Sequence, residues 1–385
     1  MAKATQTNNY TQIVPNDFIN LFMKLYSAKD MLQQIPTIML WGQPGVGKSQ
    51  SVKQAAELLG EKLHKKANVV VASLLLMNPI DLRGIPAKTE TDSGELVARW
   101  LTPELFKMDT SEDVINVLFL DEISAAPPSV QAAAYQICLD HRIGEHRLPN
   151  NCIVIAAGNR VTDKAVAYKM PKPLGNRMTH FEMIASAEDW KRWAYKNDID
   201  TRIIGFINYD HKYLCHFDPA SDDVAFPTPR SWEMVSTYLN CGDVNDMFNC
   251  IAGTIGLATA QEFRTYVEVY DKLPAWDDIA TGKLKAIPKR IANNHVDVMY
   301  ALATMIASRC STMGRKLDIS KKQDVMNFNK TVDNVCKFVM TIPQQEYITV
   351  IAKDWCRSSS QEIIDILMNN DEFSKMTDKI ADSIL

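Results

Sequence analysis

The residues most able to do chemistry open with Trp41-Gly42-Gln43-Pro44-Gly45-Val46-Gly47-Lys48-Ser49. Glycine, four free positions and then Gly-Lys-Ser is the spacing of a phosphate-binding loop. Gly42, Gly45 and Gly47 open backbone dihedrals closed to residues with side chains and let N–H groups approach phosphate oxygens. Lys48 would reach the β- and γ-phosphates, and the Ser49 hydroxyl would bind Mg2+. Pro44, Val46 and Gln50 complete the run expected to touch a nucleotide triphosphate.

A second constellation follows. The apolar run Val114–Leu120 leads straight into Asp121 and Glu122. Asp121 would hold Mg2+ through water, and Glu122 is placed to activate the attacking water as a general base. Carboxylates commonly end strands. Coming after a phosphate loop, this pair points to a hydrolytic NTPase rather than a passive binder or a small-molecule kinase. Further on, Gly158-Asn159-Arg160 leaves the apolar run Cys152–Ala157. The Asn159 amide could sense the γ-phosphate and orient water, or be an ordinary turn residue.

These groups need elements to position them. Thr37–Trp41 reads as a buried strand, and Lys48 to about Gly60 as a helix with Val52, Ala55, Ala56 and Leu59 on one face and Gly60 at its end. Such a helix aims its positive end at the bound anion. Phe18, Leu21, Phe22, Leu25 and Met31 form a helical stripe between Pro15 and about Gln34. Val69–Ala72 is another buried strand, and a helix is expected from Pro128 to about Leu139. Between them, Leu74–Leu105 is an insertion with a turn at Thr91-Asp92-Ser93-Gly94. It is either a binding element or a packed surface excursion. Asp140–Pro149 reads as a charged hairpin.

The chain has 385 residues, 46% hydrophobic and 23% charged, with a formal net charge of -4. That is room for two or three domains, and no bulk attraction to nucleic acid or anionic membrane follows. The eight cysteines are scattered without a Cys-x-x-Cys pair, as in a reducing cytoplasm. His211, Cys215 and His216 lack a matching second pair and read as loop or core residues rather than a metal site. The basic stretches Glu61–Lys66 and Lys283–Arg290 read as a helix-end complement and a solvated face, each in preference to a nucleic-acid contact. No run approaches the ~20 apolar residues of a membrane helix. Met1 to about Thr11 is polar and reads as a mobile tail.

The order of motifs resembles the AAA+ ATPases: phosphate loop, insertion, strand-Asp-Glu, hairpin, strand-Gly-Asn-Arg, then Pro173-Leu174-Gly175-Asn176-Arg177. Leu120-Asp121-Glu122-Ile123 with Ala126–Gln131, Arg142-Ile143-Gly144 and Thr228-Pro229-Arg230-Ser231-Trp232 are similar to the MoxR-like and dynein-related group. The resemblance spans roughly 34–240. It implies an α/β fold, a five-stranded parallel sheet in a three-layer P-loop domain, with a helical lid. The expected division is a tail over 1–12, the AAA+ domain over 13–184, the lid over 185–270 and a helical C-terminal extension over 271–385.

The resemblance also implies a homo-oligomeric ring, usually hexameric, with Mg-dependent ATP hydrolysis between neighbours. Asn159 falls at the first sensor position. Arg177 matches the arginine finger acting on a neighbour's γ-phosphate, and Arg230 matches the second sensor that brings the lid down. With Lys48, Asp121 and Glu122, these form the expected catalytic set. ATP over GTP rests on the family, since no Asn-Lys-x-Asp guanine signature is present. The insertion and the charged hairpin would engage substrate or partner. The aromatic-hydrophobic-Gly pore loop of threading unfoldases is missing at its expected place, so partner remodelling, chaperone-like, is the expectation. The alternatives are a nucleic-acid-stimulated motor or DNA-restriction-type subunit, mildly disfavoured by the acidic charge, and a nucleotide-gated scaffold.

Overall fold

The computed structural model describes residues 10–27, 32, 34–91, 93–143, 145–160, 168, 170–217, 221, 223–270, 272–292 and 296–381. Met31, Asp92, Gly144 and most of the expected tail, residues 1–9, lie outside them. Two compact units are present, one within Met1–Ser186 and Asp218–Asp222, the other within Ala187–Phe217 and Asp223–Leu385.

The first unit is built on a parallel sheet. Its elements are β1 (Thr11–Ile13), α1 (Pro15–Tyr26), β2 (Ile38–Trp41), α2 (Lys48–Leu63), β3 (Lys66–Ser73), α3 (Pro79–Arg83), β4 (Pro86–Glu90), β5 (Leu96–Trp100), β6 (Val114–Asp121), α4 (Pro128–Asp140), β7 (Arg142–Ile143), β8 (His146–Arg147), β9 (Cys152–Gly158), α5 (Lys172–Gly175) and β10 (Thr179–Met183). Strand order is β1-β10-β2-β9-β6-β3, and every pairing is parallel. The central strands are apolar because both faces are covered: β2 and β9 are buried throughout, and β6 along all but its last residue. A fully buried polar residue, Asn116 in β6, is satisfied by Asn68, Asn151 and the Asp109 carbonyl.

Three sequence expectations need correction. Val69–Ala72, expected to be a buried strand, lies in the sheet-edge strand β3, where only Ala72 is buried and Val71 is 43% exposed. The sheet has six strands, not five. Thr11-Gln12-Ile13, expected at the end of a mobile tail, pairs with Phe181–Met183. Three residues with one buried side chain are too short a pattern to announce an edge strand. Gly60 does not end α2, which runs on to Leu63 and is capped by His64 in the left-handed region at φ 53°. Gly60 instead allows close packing: a Cβ there would stand 2.8 Å from the Lys65 carbonyl oxygen.

The insertion is an antiparallel β4–β5 hairpin with mostly exposed side chains, and the second hairpin is β7–β8. The two lie side by side. The Trp100 N–H donates to Glu145, and the Thr102 hydroxyl is 3.1 Å from His146 Nδ1.

The second unit is helical: α6 (Ala187–Lys196), α7 (Thr201–Tyr209), α8 (Pro229–Leu239), α9 (Phe248–Ile255), α10 (Leu257–Tyr270), α11 (Trp276–Ala280), α12 (Lys289–Ala292), α13 (Val296–Arg315), α14 (Lys322–Val339), α15 (Gln345–Ser358), α16 (Gln361–Met368) and α17 (Asp371–Ala381). The long α13 packs against α7, α10, α14 and α15. Ile203, Phe206 and Ile207 of α7 and Val332, Val335 and Val339 of α14 are buried, as their helical spacing predicts. Buried Lys191 and Asp354 face each other, and Asp354 also accepts from Tyr195 and Asn208. Among the described residues, no helix is long and apolar enough to cross a membrane.

Candidate active site

All the strands that matter point their C-terminal ends the same way, so the loops leaving β2, β6 and β9 meet at one edge. Ligands of open α/β sheets bind at such an edge. From β2 the chain enters the glycine loop. A Cβ at Gly42 would stand 2.6 Å from the Met183 carbonyl oxygen, so only glycine fits. Gly47, at φ 99°, turns the chain into α2 in a conformation that side chains resist.

Lys48 opens α2 and is buried. Its Nζ donates to the carbonyls of Gly42 at 2.7 Å and Gln43 at 3.0 Å, and to Asn159 Oδ1 at 3.1 Å. The Gly42 and Gln43 carbonyls and the Asn159 amide oxygen thus hold the ammonium over the loop. Ser49 Oγ donates to Asp121 Oδ2 at 2.8 Å, and the Glu122 N–H to Asp121 Oδ1 at 2.9 Å. Both carboxylate oxygens of Asp121 are therefore oriented. A hydroxyl and a carboxylate meeting beside a phosphate loop are hard oxygen donors of the kind Mg2+ takes, so the residues present fit that ion.

Glu122 sits in the left-handed region at φ 59°, costly for a residue with a side chain. The turn is pinned on both sides. Ile123 N–H bonds the Ala157 carbonyl, and Ala125 and Ala126 close onto Glu122 O. This backbone lifts the Glu122 carboxylate off the strand, where Ser73 Oγ at the end of β3 donates to its Oε2 at 2.8 Å. Asn159 leaves β9 with its N–H on Ser124 Oγ at 2.9 Å. Its neighbour Arg160 pairs with Glu182 on β10.

The structure thus brings Lys48, Ser49, Asp121, Glu122 and Asn159 together around the loop Gly42–Gly47. Pro44 and Val46 lie within that loop, and Gln50 is exposed on the first turn of α2. Arg177 stands apart from them. It is exposed between α5 and β10, with no ion pair among the described residues. Arg230 belongs to the second unit, exposed in the first turn of α8 between Thr228 and Ser231, which cap each other reciprocally.

Sequence reasoning missed Ser73, Ser124 and the pair Trp41–His180. Ser73 aligns with Asp121 across β3 and β6, and Trp41 Nε1 donates to His180 Nδ1 at 2.9 Å. A register assignment between β3 and β6 could have found Ser73.

Residues 38–185 match the family model AAA, the ATPase family associated with various cellular activities. No curated protein matches the chain. Among solved structures, a candidate ATPase from Cytophaga hutchinsonii is 13% identical with a TM-score of 0.32, covering 78% of this chain and 76% of that one. A RuvB point mutant from Thermotoga maritima is 14% identical with a TM-score of 0.31, covering 69% and 76%. PCH-2 of C. elegans is 14% identical with a TM-score of 0.30, covering 67% and 61%. Likenesses of that size carry no argument. The family match, together with the parallel sheet and phosphate loop, makes residues 38–185 an AAA ATPase domain and the chain an ATPase.

Proposed function

We propose that this ATPase is a MoxR-type AAA+ machine, a hexameric ring in the cytoplasm that uses Mg·ATP hydrolysis to remodel or activate a protein partner. The observation that carries the hydrolytic part is the convergence of Lys48, Ser49, Asp121, Glu122 and Asn159 on one loop. The remodelling part rests on the motif resemblance and on the two adjacent hairpins that an exposed partner could meet.

In this reading Lys48 turns from the Gly42 and Gln43 carbonyls to the β- and γ-phosphates of ATP. Ser49 and Asp121 would hold Mg2+, which when bound neutralises charge on those phosphates. Glu122 takes a proton from the attacking water, and Asn159 holds that water in line. Arg177 is presented to a neighbouring subunit, where a fixed guanidinium offsets transition-state charge and is worth ~10³–10⁵ in rate. Hydrolysis would then require assembly. Arg230 couples a lid over 185–270 to the AAA+ domain over 13–184, and 271–385 extends the helical part.

Glu122→Gln tests both halves. It should bind ATP but lose about 10²–10⁴ in hydrolysis, the usual worth of a positioned base. Recovered from native lysate with Mg·ATP or Mg·ADP, with and without nuclease, it should retain a defined protein only with ATP. Wild-type hydrolysis would overturn the assignment of Glu122. Nuclease-sensitive retention of DNA or RNA would overturn protein remodelling.

A further inference from the structure

Next to the phosphate loop lies a set of rings that the proposed mechanism does not use. Trp41, the residue before Gly42, is stacked by Tyr10 with ring centroids 5.4 Å apart and planes 4° from parallel. His180 of β10 joins the stack at 5.5 Å from Tyr10 and 6.1 Å from Trp41. The hydrogen bonds settle how His180 is protonated. An indole N–H only donates, so His180 Nδ1, at 2.9 Å, is the acceptor. The proton is then on Nε2, which donates to the Gly175 carbonyl at 2.7 Å.

That carbonyl is the last of α5 and also takes the Met178 N–H at 3.2 Å. One residue further, the Thr179 N–H is held by the Thr37 carbonyl at 3.0 Å. The segment 175–179 is therefore fixed at both ends, and Arg177 stands at its centre with an exposed side chain. The backbone is pinned while the guanidinium is left outside.

We propose that His180 is a positioning residue: it ties the backbone beneath Arg177 to Trp41, and so to the strand that leads into the phosphate loop. The inference rests on the reading of Arg177 as the residue that reaches a neighbouring subunit's nucleotide. His180 touches no substrate. It acts by holding the Gly175 carbonyl, and the Trp41 N–H selects the tautomer that can do so. Loss of that hold leaves nucleotide binding intact and misplaces a group that acts only in the transition state. Such a change lowers kcat rather than affinity.

The test is a double-mutant cycle on the full chain, read as steady-state ATP hydrolysis and as equilibrium binding of a fluorescent ADP. His180→Leu should lower kcat by about ten- to a hundred-fold, the cost of a misplacement near 1 Å, with ADP affinity unchanged. His180→Gln, whose amide offers an acceptor and a donor, should restore most of it. In an Arg177→Ala background, His180→Leu should add nothing, because both changes act through one group. If His180→Leu does not fold, Trp41→Phe keeps an aromatic ring at the position and removes the N–H that donates to His180. It should also slow hydrolysis in the wild-type background and not in Arg177→Ala. An Arg177→Ala protein with wild-type kcat would overturn the finger reading and this inference with it. An impaired Arg177→Ala protein beside an unimpaired or fully additive His180→Leu would overturn the positioning role alone.

Discussion

Ser73 Oγ donates a hydrogen bond of 2.8 Å to Glu122 Oε2. Glu122 is held by its strained backbone at one end and by this hydroxyl at the other. This bond engages one carboxylate oxygen of Glu122. Ser73→Ala frees the carboxylate to rotate, and kcat should fall about three- to ten-fold, a fraction of what removing the base costs. ATP affinity should not move, since Ser73 has no part in the phosphate loop. A faster enzyme would show instead that the bond holds Glu122 in an unproductive orientation.

The Ser49–Asp121 contact makes a metal prediction. If these oxygens orient Mg2+, Asp121→Asn should raise the Mg2+ concentration for half-maximal hydrolysis by about 10- to 100-fold. Removal of divalent ions with a chelator should abolish turnover in the wild type. Titrating hydrolysis against Mg2+ at saturating ATP checks this. An unchanged midpoint in Asp121→Asn would remove Asp121 from the ion's surroundings.

The candidate site was legible wherever its chemistry is local. Gly42 to Ser49 is one continuous run, and Asp121-Glu122 ends an unmistakable apolar strand, so the places where they meet could be read from the sequence. Its supports were not. Ser73 matters only because β3 lies beside β6 with Ser73 opposite Asp121, and Ser124 only because the turn after β6 folds under Asn159. Those are relationships across 49 residues, from Ser73 to Glu122, and 35, from Ser124 to Asn159. The same holds for the fold. Strands buried on both faces stood out as apolar runs, whereas Thr11–Ile13 has one buried residue and gains its place from β10 alone. Gly60 was misread because a helix-ending glycine and a close-packing glycine look alike until the Lys65 carbonyl is seen against it.

Two buried thiols give the first unit a pH-dependent stability. Burial pushes Cys138 and Cys152 each up to about 12, against 9.0 for the free group. The folded state keeps both thiols protonated while the unfolded chain releases those protons above 9.0. Stability from them is fully present below pH 9.0 and falls as pH rises toward about 12. The slope has a ceiling of about 1.4 kcal/mol per pH unit for each thiol. Urea unfolding at about pH 8 and about pH 10.5 should show a lower midpoint at the higher pH, and Cys138→Ala should lose less between the two. Equal losses in both proteins would remove Cys138 as a source.

Gly158 links stability to the chemistry of Asn159. A Cβ there would stand 2.7 Å from Ser124 Oγ and 3.0 Å from both Ser124 Cβ and Met39 Cε. Met39 is fully buried in β2, and Ser124 Oγ is the acceptor of the Asn159 N–H. Gly158→Ala must therefore push Ser124 away, at a cost of about 1–3 kcal/mol for a tight core. The displacement also loosens the bond that fixes Asn159, whose Oδ1 meets the Lys48 ammonium. Hydrolysis should fall further than the small loss of folded protein can explain. Urea unfolding and kcat measured on the same preparation separate the two. Lowered stability with wild-type kcat would mean that Asn159 does not depend on Ser124 for its place. A drop in both, with ATP still bound, would make Ser124 the support that lets the end of β9 act on the nucleotide.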